Sequence, residues 1–385
     1  MKGPRVAFTA SHAGLRYGAV MQAIVVHDPD AGHALETVEI DEPRAGEVLV
    51  RIAASGVCGS DLHVLHGRAT VATFPLVLGH EGAGVVEAVG PGVEGVVVGD
   101  HVVIALYGPC GHCDHCRTGD IVNCNGVERT SGMFGRMADG STRLHQGATP
   151  LHPFVGIGSL AEYAVVRAAQ TVVVPPELPL DVIALAGCGV TTGLGAVFNT
   201  ARVAPGDRVA VVGCGGVGLN VIQGARLAGA STIVAIDPLP AKLDIASDLG
   251  ATHCVDATAG PMHDAVQAIV PGGVDVAFEV VGNPDLVAAT FELTRPGGLC
   301  VMVGSPGPGS TIPIRGTSLF MERRLAGCVG GSNVPARDIP RIVDLYRAGR
   351  LDLDRLVTQR LPIERFDDAV AAAEAGTVAR SVITF

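Results

Sequence analysis

Residues Val209 to Asp237 read VAVVGCGGVGLNVIQGARLAGASTIVAID, and this stretch decides the fold. Val209 to Val212 is a short aliphatic run of the kind that forms a strand buried on both faces. It leads into Gly213-Cys214-Gly215-Gly216-Val217-Gly218, a G-x-G-x-x-G match where a strand would hand over to a helix. Val217 to Leu227 carries the helix, and Thr232 to Ile236 forms a second strand that ends on Asp237. Each part has a mechanical reason. Gly213 permits the tight turn, Gly215 lets the backbone approach a pyrophosphate, and Gly218 lets helix and strand pack closely. Gly216 and Val217 stand where the helix starts, and the free N–H groups there receive phosphates. Asp237 is placed to accept hydrogen bonds from ribose hydroxyls and to repel a 2′-phosphate, so NAD is expected over NADP.

The surrounding chain has 385 residues, long enough for two domains and a large core. With 52 Gly, 48% hydrophobic residues, 4% aromatics and no Trp, it reads as a glycine-turned, aliphatic α/β protein. A formal charge of −11 with no offsetting basic run excludes a nucleic-acid surface. No apolar stretch reaches the ~18 residues of a membrane span. The first twenty residues lack the apolar core of a signal peptide, so a cytoplasmic protein is expected. Met21 to Val26 reads as the first strand, which makes residues 1–20 an N-terminal extension. Ten cysteines in a cytosolic chain point to metal ligands and core residues rather than disulfides.

From Met21 to about Val103, short β-type runs alternate with Gly and Pro turns: Val48 to Ile52, Gly84 to Val89, His101 to Ile104. This predicts a compact, mostly β, barrel-like unit. It carries two patches of ligand-type residues, CGSDLH at Cys58 to His63 and GHEG at Gly79 to Gly82. Cys110, Cys113, Cys116 and Cys124 then give C-x2-C-x2-C-x7-C inside GPCGHCDHCRTGDIVNC. Four thiolates this close suit one tetrahedral Zn²⁺ with no position left for substrate, hence a structural site. An iron–sulfur cluster and a redox dithiol are the alternatives to zinc there. His112 and His115, between the cysteines, read as solvent-facing.

Taken together these motifs resemble the zinc-dependent medium-chain alcohol dehydrogenases, of the liver alcohol dehydrogenase and formaldehyde dehydrogenase type. The resemblance runs from about Met21 to Phe385. It includes the four-cysteine loop, the Cys58 and His80 patches, GCGVTTG at Gly187 to Gly193, the glycine fingerprint and the closing RSVITF. It implies a mostly β, GroES-like catalytic domain over 21–189 and a doubly wound parallel sheet of the Rossmann type over 190–329. Residues 330–385 would return to the first domain. It also implies two zinc ions per chain and NAD, with the catalytic zinc on Cys58, His80 and Cys188. Three protein ligands leave an open position, and a metal there lowers the pKa of a bound alcohol. By the same resemblance Ser60 receives the alcohol proton and His63 passes it to solvent. Asp61 would orient His80, and Glu81 lies near the metal. Thr192, Lys242 and Arg380 match cofactor-binding positions, and Leu106, Phe154, Val155 and Ser305 match positions lining the substrate pocket. Relatives are commonly dimers, so a homodimer is expected, with a tetramer as the alternative.

Between Cys124 and Tyr163 the chain is glycine-rich and polar and reads as a long loop. Beyond it, β-α alternation through Val274 to Glu279 and Leu299 to Val303 completes the parallel sheet. Cys214, Cys254, Cys300 and Cys328 read as small core residues. Two departures from the family matter. The acidic pair that recognises glutathione falls on Ala69 and Val71, and its arginine on Glu128, with Arg129 one step later. Glu128 is therefore expected to repel the carboxylates of a glutathione adduct. Gly59 stands where many relatives place a cation on the pyrophosphate. The expectation is an NAD-dependent alcohol dehydrogenase for primary, medium-chain or aromatic alcohols. The alternatives are a nicotinoprotein with permanently held NAD and a non-catalytic, zinc-stabilised binding protein.

Overall fold

The computed structural model describes residues 19–29, 31–69 and 71–385. The N-terminal extension lies outside the described residues except for its last two, which open the strand Ala19–Val26. The glycine-motif half forms a six-stranded, wholly parallel sheet. Its strands are Arg208–Val212, Thr232–Asp237, His253–Asp256, Val274–Glu279, Thr294–Met302 and Arg324–Gly327. Numbered along the chain within this sheet they lie in the order 3-2-1-4-5-6, the doubly wound arrangement. Its first strand is buried along Val209 to Val212, each fully buried Val contributing about 1.5–3 kcal/mol. The turn then needs Gly213, whose φ is 96°. A Cβ on Gly218 would collide with the Gly213 carbonyl oxygen, so the helix Gly216–Ala228 can only start this close to the strand without a side chain there. Gly229, at φ 83°, ends the helix.

The other half is built from two sheets. Ala19–Val26, His33–Ile40, Leu144–Gln146, Thr149–Pro153 and Leu76–Val77 close a small barrel. A second sheet is centred on Glu47–Gly56, which pairs with Gly82–Val89, Tyr163–Arg167 and the C-terminal strand Arg380–Thr384. The last pairing sets Val382 opposite Gly56, so the end of the chain lies beside Cys58. One hydrophobic core joins the halves: Val103, Ile183 and Leu185 pack in the same cluster as Val211, Leu219 and Ile222. Among the described residues no single helix is long and apolar enough to cross a membrane.

Three expectations change. The segment between Cys124 and Tyr163 holds the helix Val127–Met133 and the hairpin Leu144–Gln146/Thr149–Pro153 rather than a loop. Its elements are too short to show periodicity, and the hairpin is specified by barrel closure. The strand expected at Leu299 begins earlier, at Thr294, because parallel pairing resumes after a bulge opposite Val274 and Val276. Cys254 is exposed, since it sits on the outermost strand of the parallel sheet; Cys214, Cys300 and Cys328 are buried.

Candidate active site and metal centres

Cys58 caps the short helix Gly59–Leu65, and Asp61 in its first turn accepts the Cys58 N–H through Oδ2 at 2.9 Å. Asp61 is fully buried, and its Oδ1 also accepts from the Gly79 N–H at 3.2 Å and meets His80 Nδ1 at 3.3 Å. Asp61 therefore fixes the helix start, the turn before His80 and the His80 ring together. Cys188 arrives from the turn Ala184–Gly187, immediately before the helix Gly189–Gly195. The ligand atoms of Cys58, His80, Glu81 and Cys188 all lie within 4.8 Å of one another. His80 Nε2 is buried with no hydrogen-bond partner, which is the condition of an imidazole waiting for a metal. Hydrogen bonding from Cys188 holds the Cys58 thiol well below its ordinary pKa, against burial, while Cys188 is pushed up. A cation bound between them would favour the thiolate form of both. Burial alone would depress the His80 pKa, but Asp61 and Cys58 outweigh it and raise it.

Glu81 is also fully buried; its carboxylate takes the Gly189 N–H at 2.9 Å and forms an ion pair with Arg380. Burial raises its pKa to about 7 against the pull of Arg380. In the four-cysteine loop, Cys110 and Cys116 sulfurs are 3.8 Å apart and Cys113 and Cys124 sulfurs 3.9 Å. A zinc tetrahedron with bonds of about 2.3 Å has edges of about 3.8 Å, so the four sulfurs fit one ion. Backbone N–H groups of Cys116 and Asn125 pull the Cys113 thiol down to about 6. His112 is exposed and His115 half-buried, and they pair with Glu128 and Asp120.

Two cavities meet at the open cluster. One, of about 550 Å³, runs from Gly215 to Gly218, Lys242 and Arg380 to Thr192, Cys58 and Cys188. The other, about 350 Å³, is lined by Leu106, Phe154, Val155 and Ser305. Ser60, His63, Leu106, Cys188 and Ser305 line both. The first fits a dinucleotide on local grounds: Gly215 has open space on the side a Cβ would take, next to the helix N-terminus. Gly59 likewise faces open space, so its lack of a side chain is not a steric requirement. Arg380 packs under Gly216, where a Cβ would strike its Cδ, and reaches Glu81 behind. Asp237 is 4% exposed; Oδ2 takes the Cys214 N–H at 2.8 Å and Oδ1 the Leu239 N–H at 3.0 Å. It therefore locks the glycine turn before any ribose arrives.

Phe154 packs edge-on to His80 with ring centroids 5.4 Å apart. Val155 beside it has φ 46°, a left-handed conformation that costs a β-branched residue about 1–3 kcal/mol and places backbone strain in the cavity wall. Ala69 and Val71 line the cavity, but Glu128 does not; its Oε1 turns away to His112 at 3.1 Å. The expected repulsion from Glu128 is corrected accordingly: the next residue, Arg129, faces the cavity instead. Sequence reasoning also missed Arg167, Gln170 and Met133 in this wall, and Glu279 at the end of its strand near the nucleotide cavity. Glu279 Oε1 accepts the Val281 and Gly282 N–H groups at 3.0 and 2.8 Å, fixing the turn that carries Val280 and Val281 into that cavity.

Fold, paired cavities and two cysteine-based clusters together define a zinc-dependent, nucleotide-linked oxidoreductase. Residues 44–177 match the alcohol dehydrogenase GroES-like domain, and residues 216–348 match the zinc-binding dehydrogenase domain. The chain is 40% identical over 359 residues to S-(hydroxymethyl)glutathione dehydrogenase of Escherichia coli O157:H7, covering 92% of this chain and 97% of that one. Among solved structures, benzyl alcohol dehydrogenase from Acinetobacter calcoaceticus superposes with TM-score 0.88 at 33% identity, over 95% of this chain and 99% of that one. An alcohol dehydrogenase zinc-binding domain protein from Burkholderia ambifaria gives TM-score 0.88 at 38% identity with the same coverage. A zinc-binding dehydrogenase from Sinorhizobium meliloti 1021, bound to NADP, gives 0.79 at 29%, again over 95% and 99%. The chain belongs to the zinc-dependent alcohol dehydrogenase family and is an NAD-dependent, zinc-dependent oxidoreductase.

Proposed function

We propose that this chain oxidises medium-chain or aromatic primary alcohols, with Cys58, His80 and Cys188 holding the catalytic zinc and Cys110, Cys113, Cys116 and Cys124 the structural one. The observation that carries the reading is the meeting of the two cavities at Cys188, with Ser60 and His63 lining both, Cys58 lining the nucleotide cavity and His80 the substrate cavity. When bound, the zinc supplies Lewis acidity that makes the alcohol proton easier to lose. Ser60 accepts that proton, and His63 passes it to solvent. Burial and the nearby Arg68 hold the His63 pKa below its ordinary value, which keeps the ring neutral and able to accept at working pH. Asp61 holds the His80 ring through Nδ1, and so directs Nε2 to the metal. Lys242, Thr192 and Arg380, which line the nucleotide cavity, position NAD beside the alcohol with Asp237 at the end of the adjoining strand, and Phe154 and Leu106 exclude water from the transfer. The exposed run Leu319-Phe320-Met321, next to the edge strand Arg324–Gly327, supports a homodimer.

The test is NAD reduction by purified protein against short, medium-chain and aromatic primary alcohols, with light scattering for the dimer. Medium-chain or aromatic substrates should exceed ethanol in kcat/KM by at least about tenfold, which needs only ~1.4 kcal/mol of differential burial. Ethanol turned over as well as benzyl alcohol or hexanol would refute the pocket assignment.

A further inference from the structure

His63 stands in the last turn of the helix Gly59–Leu65, where the chain reverses. The reversal is a complete C-terminal cap. His66 is the capping residue, and Gly67 follows at φ 65°. Two backbone bonds close the turn: Gly67 N–H to the Val64 carbonyl at 3.0 Å, and Arg68 N–H to the His63 carbonyl at 2.7 Å. In this motif the two residues joined by the outer bond lie side by side, and their contact is frequently apolar. Here it is a guanidinium beside an imidazole. Both residues line the substrate cavity.

Arg68 is exposed, yet its fork is held. Its Nη2 lies 2.8 Å from His66 Nδ1, and since arginine offers only donors, that nitrogen accepts. The His66 ring proton is therefore on Nε2, which donates to Glu374 Oε1 at 2.8 Å. Glu374 ends the helix Phe366–Glu374, and its neighbour Ala373 lines the nucleotide cavity. Among the described residues no carboxylate pairs with Arg68 itself, so its charge is not cancelled at contact. A relay needs such a charge. The alcohol proton has to arrive at a neutral ring, and the imidazolium that results has to give it up to solvent. A histidine in the last turn of a helix faces the opposite bias, because the carbonyl end favours the charged ring. Cys58, at the other end of the helix, adds to that bias, while burial, Arg68 and His66 oppose it.

We propose that Arg68 is a positioning residue for the proton relay: a fixed positive charge beside His63, held by His66 and Glu374, that keeps the ring neutral on arrival and drives the proton off afterwards. The inference rests on the relay reading above and deepens it. The arginine makes and breaks no bond. The proton passes from the alcohol hydroxyl through Ser60 to His63 and on to water, and the hydride goes to NAD⁺. Lys242 and Arg380 in the nucleotide cavity, and Arg129 and Arg167 in the substrate cavity, carry the same sign. Arg68 differs from them because the turn that ends the His63 helix also sets its place. Glu374 bonds His66 and not the relay ring, so its part is to hold the clamp.

The experiment follows the burst of NADH when zinc-loaded enzyme and NAD are mixed rapidly with benzyl alcohol across a pH series, since the burst reports transfer before product leaves. Arg68→Met should move the acidic limb up by about half a pH unit and keep the plateau, as expected for a neighbouring charge partly screened by water. Without the arginine the ring holds its proton to higher pH, so below the limb the burst runs about threefold slower. Arg68→Lys should restore the limb, because the charge is what acts on His63. In about 1 M salt, where charges more than about 3 Å apart are screened, the two limbs should converge. Glu374→Ala should move the limb up as well, though less, by releasing the clamp. A carboxylate acting directly on His63 would move it down when removed, and that result would overturn the clamp. An Arg68→Met limb that stays in place, while His63→Gln removes it, would overturn the proposal and leave the relay standing. So would a burst lost equally at every pH, which marks a merely structural residue. A limb that survives His63→Gln would sink the relay reading as well.

Discussion

Asp237 offers the sharpest test of cofactor choice, because the structure decides which substitution is informative. Replacing it by Gly would strip the acceptor from the buried Cys214 N–H as well as from the ribose, and an orphaned buried donor costs about 1–3 kcal/mol. Asp237→Asn keeps one side-chain oxygen for Cys214 and gives up the bond to the Leu239 N–H, where water can substitute. It also removes the charge. Hydrogen bonds to a charged acceptor contribute about 1.5–3 kcal/mol against 0.5–1.5 for a neutral one, so NAD should weaken about tenfold. A carboxylate about 5 Å from a 2′-phosphate costs roughly 3 kcal/mol per phosphate charge at an effective dielectric of about 20. Removing even half of one such charge interaction would tighten NADP about tenfold. The preference for NAD should therefore fall by roughly a hundredfold or more. The assay is titration of nicotinamide fluorescence with NADH and NADPH, favoured here because the chain has no Trp. Equal affinities in the unmodified protein, or a preference that Asp237→Asn leaves in place, would refute the reasoning.

His63→Gln should lower kcat roughly tenfold and remove its acidic limb. In the unmodified enzyme that limb lies below the ordinary histidine range, because burial and Arg68 depress the His63 pKa and protonation at lower pH blocks the relay; an unchanged pH profile excludes His63. Cys113→Ser should lower zinc from two ions to one per chain and reduce thermal stability before turnover, whereas Cys58→Ser should abolish turnover and keep the loop zinc. Elemental analysis with thermal melts reads both. Arg143 and Glu47 form a two-bond buried pair at 2.8 and 2.6 Å that ties the Asp139 to Arg143 turn to the central strand. Arg143→Met should cost about 3–5 kcal/mol, measured as a shift in the denaturant midpoint.

The parallel sheet was legible because its cause is local: after the buried strand, Gly213 and Gly218 each answer a steric demand within one turn, and Asp237 follows at the next strand end. The ligand cysteines were legible through spacing and resemblance. Arg129 and Glu128 were not. Successive residues on a helix point about 100° apart, so an offset of one position exchanges the cavity for the zinc loop, and that rotation is set by how Val127–Met133 packs. Arg167 ends, and Gln170 follows, a strand of mostly aliphatic residues, and nothing in their spacing marks a cavity. Cys254 looked like a core residue because its strand is apolar on one side, but the strand lies at the sheet edge.

The most direct measurement is the appearance of NADH when a medium-chain or aromatic primary alcohol is added to protein carrying two zinc ions per chain, with Cys58→Ser as control. The account predicts steady turnover with free NAD, lost in the control while one zinc remains. No NADH from any primary alcohol, at full zinc content and with NAD bound, would contradict it.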